Sequence, residues 1–327
     1  MAKQSVIVIG ATGVTGSSIV TGLLENGSFV VIAGTRPSSA SKPRVEALKA
    51  RGVEIRIIDL ENWTVDQIAE SLNGVDTVIS TIFFAEIPRQ KLLVDACKKA
   101  GVKRFVPDDW ATVCVRGVRQ LYDQVILFDN SEWRSSRIVI LVLSQKLAIR
   151  DYVKEIGISY TFIDIGWWMQ LTPPLIDIKF PLPVMKKAMT SRTGSGNVKC
   201  AVTDNRDIGK FVARIIADDR TLNQYVFCWS QEVTLNETIA LAERISGSKI
   251  DIENINADEM AKLVKDSSDK DRTATEYVYS LWVLGDNTVE NAKKEEYGGA
   301  LDARELYPDI GKELKTIEDF AKEFYSK

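Results

Sequence analysis

Two patterns of hydrophobic positions alternate along the first 165 residues. Continuous apolar runs, typical of strands buried on both faces, occur at SVIVIG (5–10), FVVIAG (29–34), VEIRIIDL (53–60), VDTVISTI (75–82) and YTFIDI (160–165). Stretches with helical spacing lie between them, at 16–27, 43–52, 65–74 and 89–101. Strands that alternate with helices at this distance predict βαβ units and an α/β fold built on a doubly wound parallel sheet.

The pattern changes after residue 165. GWWMQLTPPLIDIKFPLP (166–183) places four prolines among large apolar residues, which predicts a loop region able to line a pocket. Amphipathic helices are predicted at 205–219 and 235–250, with a strand at 224–229 between them. We therefore predict a first domain at 1–165 and a smaller, mostly C-terminal α/β substrate domain at 166–327. Some segments of the second part are expected to return to the first.

One predicted helix carries a charge on its apolar face. In QKLAIRDYVKEI (145–156), helical spacing places Lys146 on the same face as Ile149, Val153 and Ile156. Partial burial disfavours the charged form of a lysine, which suits it to take or deliver a proton near neutral pH. The alternative is that its ammonium extends past the apolar stripe to water. Spacing alone leaves both open.

Composition narrows the class of protein. The chain of 327 residues is 45% hydrophobic and 27% charged, with a net charge of −3, so we expect no nucleic-acid partner and no anionic membrane surface. No apolar run reaches the ~18 residues of a membrane span. The four cysteines are far apart and no signal peptide is recognisable, which favours reduced thiols in a cytoplasmic protein.

The chain contains no histidine. This excludes Ser-His-Asp and Cys-His catalysis and removes the commonest zinc ligand, so we expect no metal site. Acid/base chemistry must come from Lys, Tyr, Asp, Glu or Cys.

A glycine-rich loop follows the first predicted strand. VIVIGATGVTG places Gly10, Gly13 and Gly16 at GxxGxxG spacing, just before the first helix. Glycines here allow a tight turn and close approach to a pyrophosphate, which the free N–H groups of a helix start can bind. In a βαβ setting the loop predicts a Rossmann-type dinucleotide site; the alternative is a tight turn alone.

The end of the second strand favours NADP(H) over NAD(H). AGTRPSSASKPR places Arg36 at the strand end and Lys42 and Arg44 after it, with no acidic residue before Glu46. NAD sites usually carry an acid here for the ribose hydroxyls, whereas a guanidinium can bind a 2′-phosphate through two hydrogen bonds. A solvated basic loop is the alternative.

No tyrosine has a lysine four residues later, so the Tyr-x-x-x-Lys pair of short-chain dehydrogenases is absent. The chain instead resembles the NmrA-like, or isoflavone reductase-like, family of atypical short-chain dehydrogenases, which includes pinoresinol–lariciresinol and phenylcoumaran benzylic ether reductases. The matching segments are GATGVTG (10–16), Arg36, GVDTVIS (74–80), Gln90, VKRFVPDDWA (102–111), KLAIRDYVKEIGISYT (146–161), DIGKFVARIIADDRTLN (207–223) and TLNETIALAE (234–243).

The resemblance implies a reductase that transfers a hydride from NADPH to a small, aromatic or polycyclic secondary metabolite, with Lys146 as general acid/base. The predicted cofactor contacts are Gly10, Thr12, Gly13, Val14, Thr15, Gly16, Arg36, Lys42, Gln90, Lys146 and Gly166. Trp167, Trp168 and Met169 are the predicted substrate contacts; alternatively, they fill the core.

Two departures from the family pattern stand out. The family usually has Pro-Ser-Glu-Phe-Gly where this chain has PDDWA (107–111), which alters the pocket. VILFDNSEWRSSRIVILVLSQ (125–145) has no counterpart, and its flanks join smoothly without it. It is either translated intron sequence or a genuine surface loop.

A second function stays open on the sequence. The family also includes regulators that bind dinucleotides without turning them over and report redox state to a protein partner. Binding without turnover would identify such a sensor. We expect a monomer or a homodimer.

Overall fold

A computed structural model of the chain describes residues 3–113, 137–180 and 182–326. It contains two compact units. Unit 1 consists of Met1–Trp110, Ser144–Asp164 and Asn205–Val226, and unit 2 of Ala111–Leu143, Ile165–Asp204 and Phe227–Lys327.

The described elements alternate as the sequence pattern predicts. The strands are β1 (Gln4–Ile9), β2 (Phe29–Thr35), β3 (Glu54–Ile57), β4 (Thr77–Ser80), β5 (Arg104–Val106), β6 (Thr161–Asp164), β7 (Trp167–Trp168), β8 (Arg192–Thr193), β9 (Cys200–Thr203), β10 (Gln224–Phe227), β11 (Gln231–Val233), β12 (Asn254–Ile255) and β13 (Leu301–Asp302). The α-helices are α1 (Val14–Asn26), α2 (Pro43–Ala50), α3 (Val65–Ser71), α4 (Gln90–Ala100), α5 (Arg137–Ile156), α6 (Pro183–Thr190), α7 (Ile208–Ile216), α8 (Leu235–Ser246), α9 (Ala257–Asp266), α10 (Asp269–Tyr279), α11 (Val289–Ala292), α12 (Ala303–Leu306) and α13 (Ile317–Tyr325).

A parallel five-stranded sheet forms the centre of unit 1, in the order β3-β2-β1-β4-β5. Val6, Ile7 and Val8 of its central strand are fully buried, as the continuous apolar run predicted. β6 continues beside β5, since Phe105 forms a parallel bridge with Tyr160. The apolar runs did not predict β5, because it is short and begins with a charged residue.

Helices α1 and α7 of unit 1 pack at very short range. A Cβ atom on Gly22 would lie 2.2 Å from the carbonyl carbon of Gly209, so neither helix tolerates a side chain at the crossing. Ser18 Oγ also donates to Arg206 O at 2.9 Å and accepts from Gly209 N at 3.0 Å. The helix that follows the glycine loop is therefore fixed by a segment that comes almost 200 residues later.

Unit 2 contains a three-stranded sheet, in the order β11-β9-β7, and the two-stranded sheet of β12 and β8. Its hydrophobic core includes Met169, Leu175, Leu235, Met260 and Leu281, all fully buried. Within the described ranges, no helix has both the length and the apolar character to cross a membrane.

Helix α5 begins earlier than the predicted helix, at Arg137. Its first nine residues belong to the predicted insertion at 125–145, of which 125–136 lie outside the described residues. The insertion stays a prediction.

Candidate functional site

The glycine loop forms a cradle that excludes side chains. Gly10 has a φ of +87°, and a Cβ atom there would lie 2.4 Å from Thr81 O. A Cβ atom on Gly16 would lie 2.3 Å from Gly10 O. These positions therefore require glycine, as the turn between β1 and α1 predicted.

The start of α1 can bind an anion. Gly13 is its N-cap and supplies no side-chain cap, and the first turn contains no acidic residue. Gly13 and Val14 are exposed, whereas Thr12 and Thr15 are half-buried. The N–H groups and the positive end of the helix dipole therefore face an accessible surface, which fits the pyrophosphate of a dinucleotide.

Arg36 lies directly after β2, at the same carboxyl edge of the sheet. Both Arg36 and Lys42 are exposed, and neither forms an ion pair with any residue in the described ranges. Arg44 donates to the Thr12 main-chain carbonyl at 3.3 Å, which joins the basic segment to the glycine loop. The two cations are thus available to a ligand that carries a further phosphate.

Gln90, at the start of α4, is fully buried beside the segment that follows β5. Its Oε1 atom accepts from Asp108 N at 2.8 Å. Its Nε2 atom has no hydrogen-bond partner within the described part of the chain, although it is buried. A buried amide donor without a partner is uncommon, and this one is free to donate to a water molecule or a ligand.

Lys146 is half-buried on α5, and its Nζ atom donates to Asp109 O at 2.6 Å. Ile149 and Val153, on the same face, are buried in unit 1. Asp109 follows the carboxyl end of β5. The lysine is therefore turned inward and held at the edge of the sheet that carries the glycine loop, rather than extended along the surface.

A buried charged cluster adjoins this lysine. Arg150 Nε lies 3.0 Å from Asp109 Oδ2, and Arg150 Nη2 lies 3.1 Å from Asp164 Oδ2. Tyr225 Oη donates to the same Asp164 oxygen at 2.6 Å. We name these four residues the Arg150 cluster. It joins α5 to the ends of β5 and β6 and to β10.

Burial shifts the acid/base properties of these groups. It raises the pKa of Asp108 to about 7, although the nearby Lys146 ammonium opposes the shift. Burial also raises the pKa of Asp109, although the Arg150 guanidinium opposes this shift. It raises the pKa of the Tyr225 phenol as well, and there the Asp164 carboxylate increases the shift. Burial alone would lower the pKa of Arg150, but the Asp109 and Asp164 carboxylates raise it well above its ordinary value. Arg150 therefore stays charged.

Sequence reasoning found Lys146 but missed the Arg150 cluster. Two signals for it were present. Arg150 is four residues after Lys146, one turn along the same face, and Asp164 interrupts the apolar run YTFIDI (160–165). The partners Asp109 and Tyr225 are distant in sequence, so only the fold brings them together.

The predicted contacts from 166 to 169 belong to unit 2. Gly166 has a φ of +65°, and Trp167 donates from Nε1 to Leu171 O at 2.9 Å. Trp168 is half-buried, and Met169 is fully buried in the core of unit 2. Their contacts with cofactor or substrate stay predictions.

Comparisons with known proteins show which chains this one is similar to. Asnovolin J 5',6'-dehydrogenase of Aspergillus novofumigatus is 31% identical, over 98% of this chain and 94% of its own length. A probable pinoresinol-lariciresinol reductase of Arabidopsis thaliana is 29% identical, over 97% and 96%. The solved complex of leucoanthocyanidin reductase with NADPH from Vitis vinifera has a TM-score of 0.77 at 22% identity and covers 99% of this chain and 100% of that one.

The structural likeness confirms the predicted Rossmann-type α/β fold. The resemblance inferred from sequence motifs is confirmed as well, because the model of the NmrA-like family matches residues 2–321. The chain belongs to the NmrA-like family.

Proposed function

We propose that this protein is an NADPH-dependent reductase of a small aromatic or polycyclic secondary metabolite, with Lys146 as its general acid/base. The observation that carries the proposal is the contact of Lys146 Nζ with Asp109 O. It holds a proton donor at the carboxyl edge of the sheet, where α/β proteins bind their ligands.

The cofactor is NADPH. The cradle at Gly10 and Gly16 and the start of α1 fit its pyrophosphate, and Arg36 and Lys42 fit its 2′-phosphate. When bound, NADPH supplies a hydride from its nicotinamide ring. The names of the relatives support this assignment, since they are reductases and a dehydrogenase, and the solved neighbour was obtained with NADPH.

Residues of the chain carry out the proton transfer. The Lys146 ammonium would protonate the substrate oxygen that receives the displaced electron pair when the neighbouring carbon is reduced. In the reverse direction the neutral amine takes the proton back. The Asp109 carbonyl accepts one ammonium hydrogen and so fixes the direction of the Nζ atom, which is what general acid catalysis requires.

The names of the relatives and the sequence support the proposed substrate class. The related proteins are named for asnovolin J and for pinoresinol and lariciresinol. Trp167 is buried in the core of unit 2, whereas Trp168 is half-buried and stays the predicted flat contact for such a substrate.

The test is a turnover panel with the purified full-length protein. NADPH binding is measured by fluorescence, and NADPH consumption is followed with ketones, enones, quinones and benzylic ethers; NADP⁺ reduction is followed with the corresponding alcohols. We expect turnover of at least one aromatic compound with a KM below about 1 mM, and tighter binding of NADPH than of NADH. Tight NADPH binding without turnover in either direction would contradict the proposal and identify a redox sensor.

A further inference from the structure

Lys146 and Arg150 bind the same residue from the same face of α5. Lys146 donates to the main-chain oxygen of Asp109, and Arg150 pairs with its carboxylate. The two attachment points are one helical turn apart, so together they fix both the position and the rotation of Asp109 against the helix. If Lys146 were the only contact between α5 and Asp109, the Asp109 carbonyl could move with the lysine. The contact of Arg150 with the Asp109 carboxylate holds this carbonyl independently of Lys146.

Arg150 is itself fixed by elements other than the one that carries Lys146. Its guanidinium binds Asp164 at the end of β6, and Tyr225 of β10 donates to the same carboxylate. The guanidinium carbon also lies 5.2 Å from the ring centroid of Phe162 and 4.7 Å from that of Tyr225. Charge-assisted hydrogen bonds and cation–π contacts in a buried setting are strong and directional, so the group is a rigid anchor.

We infer that Arg150 is a positioning residue for Lys146: it clamps the Asp109 carboxylate and thereby holds the Asp109 carbonyl that orients the Lys146 ammonium. This inference rests on the proposed role of Lys146 as general acid/base. Arg150 does not touch the reacting atoms, and it acts only through Asp109.

A purely structural role for Arg150 predicts different behaviour. Arg104 of the same unit provides the contrast, because it is also buried but donates to Ile215 O, Asp218 O and Thr221 Oγ1. Its carboxylate neighbour within the described ranges is the exposed Asp219, at 4.0 Å, and it does not bind Asp109. Loss of such an arginine lowers stability and leaves the folded enzyme's turnover unchanged. Loss of Arg150 must in addition reduce turnover, and only while Lys146 is present.

The experiment is a double-mutant cycle of Arg150→Met and Lys146→Met in the full chain, with Arg104→Met as the matched control. The probe is the panel compound with the fastest turnover. We expect Arg150→Met to lower kcat about tenfold or more with the KM for NADPH unchanged, because small misplacements of a catalytic group are costly. In the Lys146→Met background the same change is expected to have no further effect on kcat. Arg104→Met is expected to keep the wild-type kcat.

Three outcomes would overturn the inference: an equal loss in both backgrounds, an equal loss in Arg104→Met, or no loss in Arg150→Met. A wild-type kcat in Lys146→Met identifies a different failure, that of the proposed function. The two ideas therefore fail separately.

A second variant covers the case in which Arg150→Met does not fold. Arg150→Lys keeps the charge but cannot bind both carboxylates in the same fork geometry. Its crystal structure is a readout that needs no substrate: we expect the distance between Lys146 Nζ and Asp109 O to exceed about 3.5 Å, the limit of a hydrogen bond. Retention of the 2.6 Å contact in this variant contradicts the inference.

Discussion

The glycine loop and the Arg150 cluster lie at the same edge of the sheet in unit 1, but they are built in opposite ways. The loop consists of backbone, and its geometry depends on the absence of side chains at Gly10 and Gly16. The cluster consists of side chains from α5, β10 and the ends of β5 and β6. In the proposed function, the first binds a charge that is common to all dinucleotides, whereas the second positions Lys146. Binding and chemistry therefore depend on different residues and can be separated by mutation.

The largest separation of catalysis from cofactor binding is expected for Lys146→Met, which keeps the length of the side chain and removes its ammonium group. General acid/base catalysis contributes about 10²–10⁴ in rate, so we expect kcat to fall by that factor. NADPH affinity, measured by fluorescence titration, should change by less than about threefold, since the charged phosphates of the cofactor are assigned to the glycine loop, Arg36 and Lys42. A loss confined to NADPH affinity would place Lys146 with the loop instead.

The opposite result, a loss of cofactor affinity without a loss of kcat, is expected for Arg36→Ala. A hydrogen-bonded charge pair contributes about 1.5–3 kcal/mol, so NADPH affinity should fall about 10- to 150-fold while NADH affinity stays constant. At saturating NADPH, kcat should remain at the wild-type value. Arg51→Ala is the control: this exposed arginine of the same unit binds Thr21, and its loss should change neither affinity.

A smaller and pH-dependent effect on stability is expected for Asp108→Asn. Burial raises the pKa of Asp108 from 3.8 to about 7. The folded chain therefore holds the proton more tightly than the unfolded chain. The protonated carboxyl of Asp108 therefore adds to the free energy of unfolding. This contribution is complete below about pH 4 and is lost as the pH rises through about 7, by up to about 1.4 kcal/mol for each pH unit.

The amide in Asp108→Asn stays neutral. The melting temperature of the variant, relative to that of the wild type, should therefore be higher at pH 8 than at pH 5. Thermal melts of the unliganded proteins at both pH values provide the measurement. Asp66→Asn is the control, because Asp66 is an exposed partner of Lys99 and should give no such gain. An equal difference at both pH values would mean that Asp108 is not the buried titrating group.

The comparison also explains what the sequence could predict. The glycine loop, Arg36 and the parallel sheet follow from local patterns, because a strand, a turn and a helix that are adjacent in sequence build them. Lys146 was found because it broke a local helical pattern. Asp109 and Tyr225 are separated from Arg150 by 41 and 75 positions, and no local pattern joins them. The packing of Gly22 against Gly209 was missed for the same reason.

The central claim is that Lys146 moves the proton while the loop and Arg36 hold the cofactor. The most direct measurement is the single-turnover rate of hydride transfer at saturating NADPH, followed by the loss of nicotinamide absorbance in the wild type, Lys146→Met and Arg36→Ala. The account predicts a rate about 10²–10⁴ lower in Lys146→Met and a wild-type rate in Arg36→Ala. A wild-type rate in Lys146→Met would contradict it.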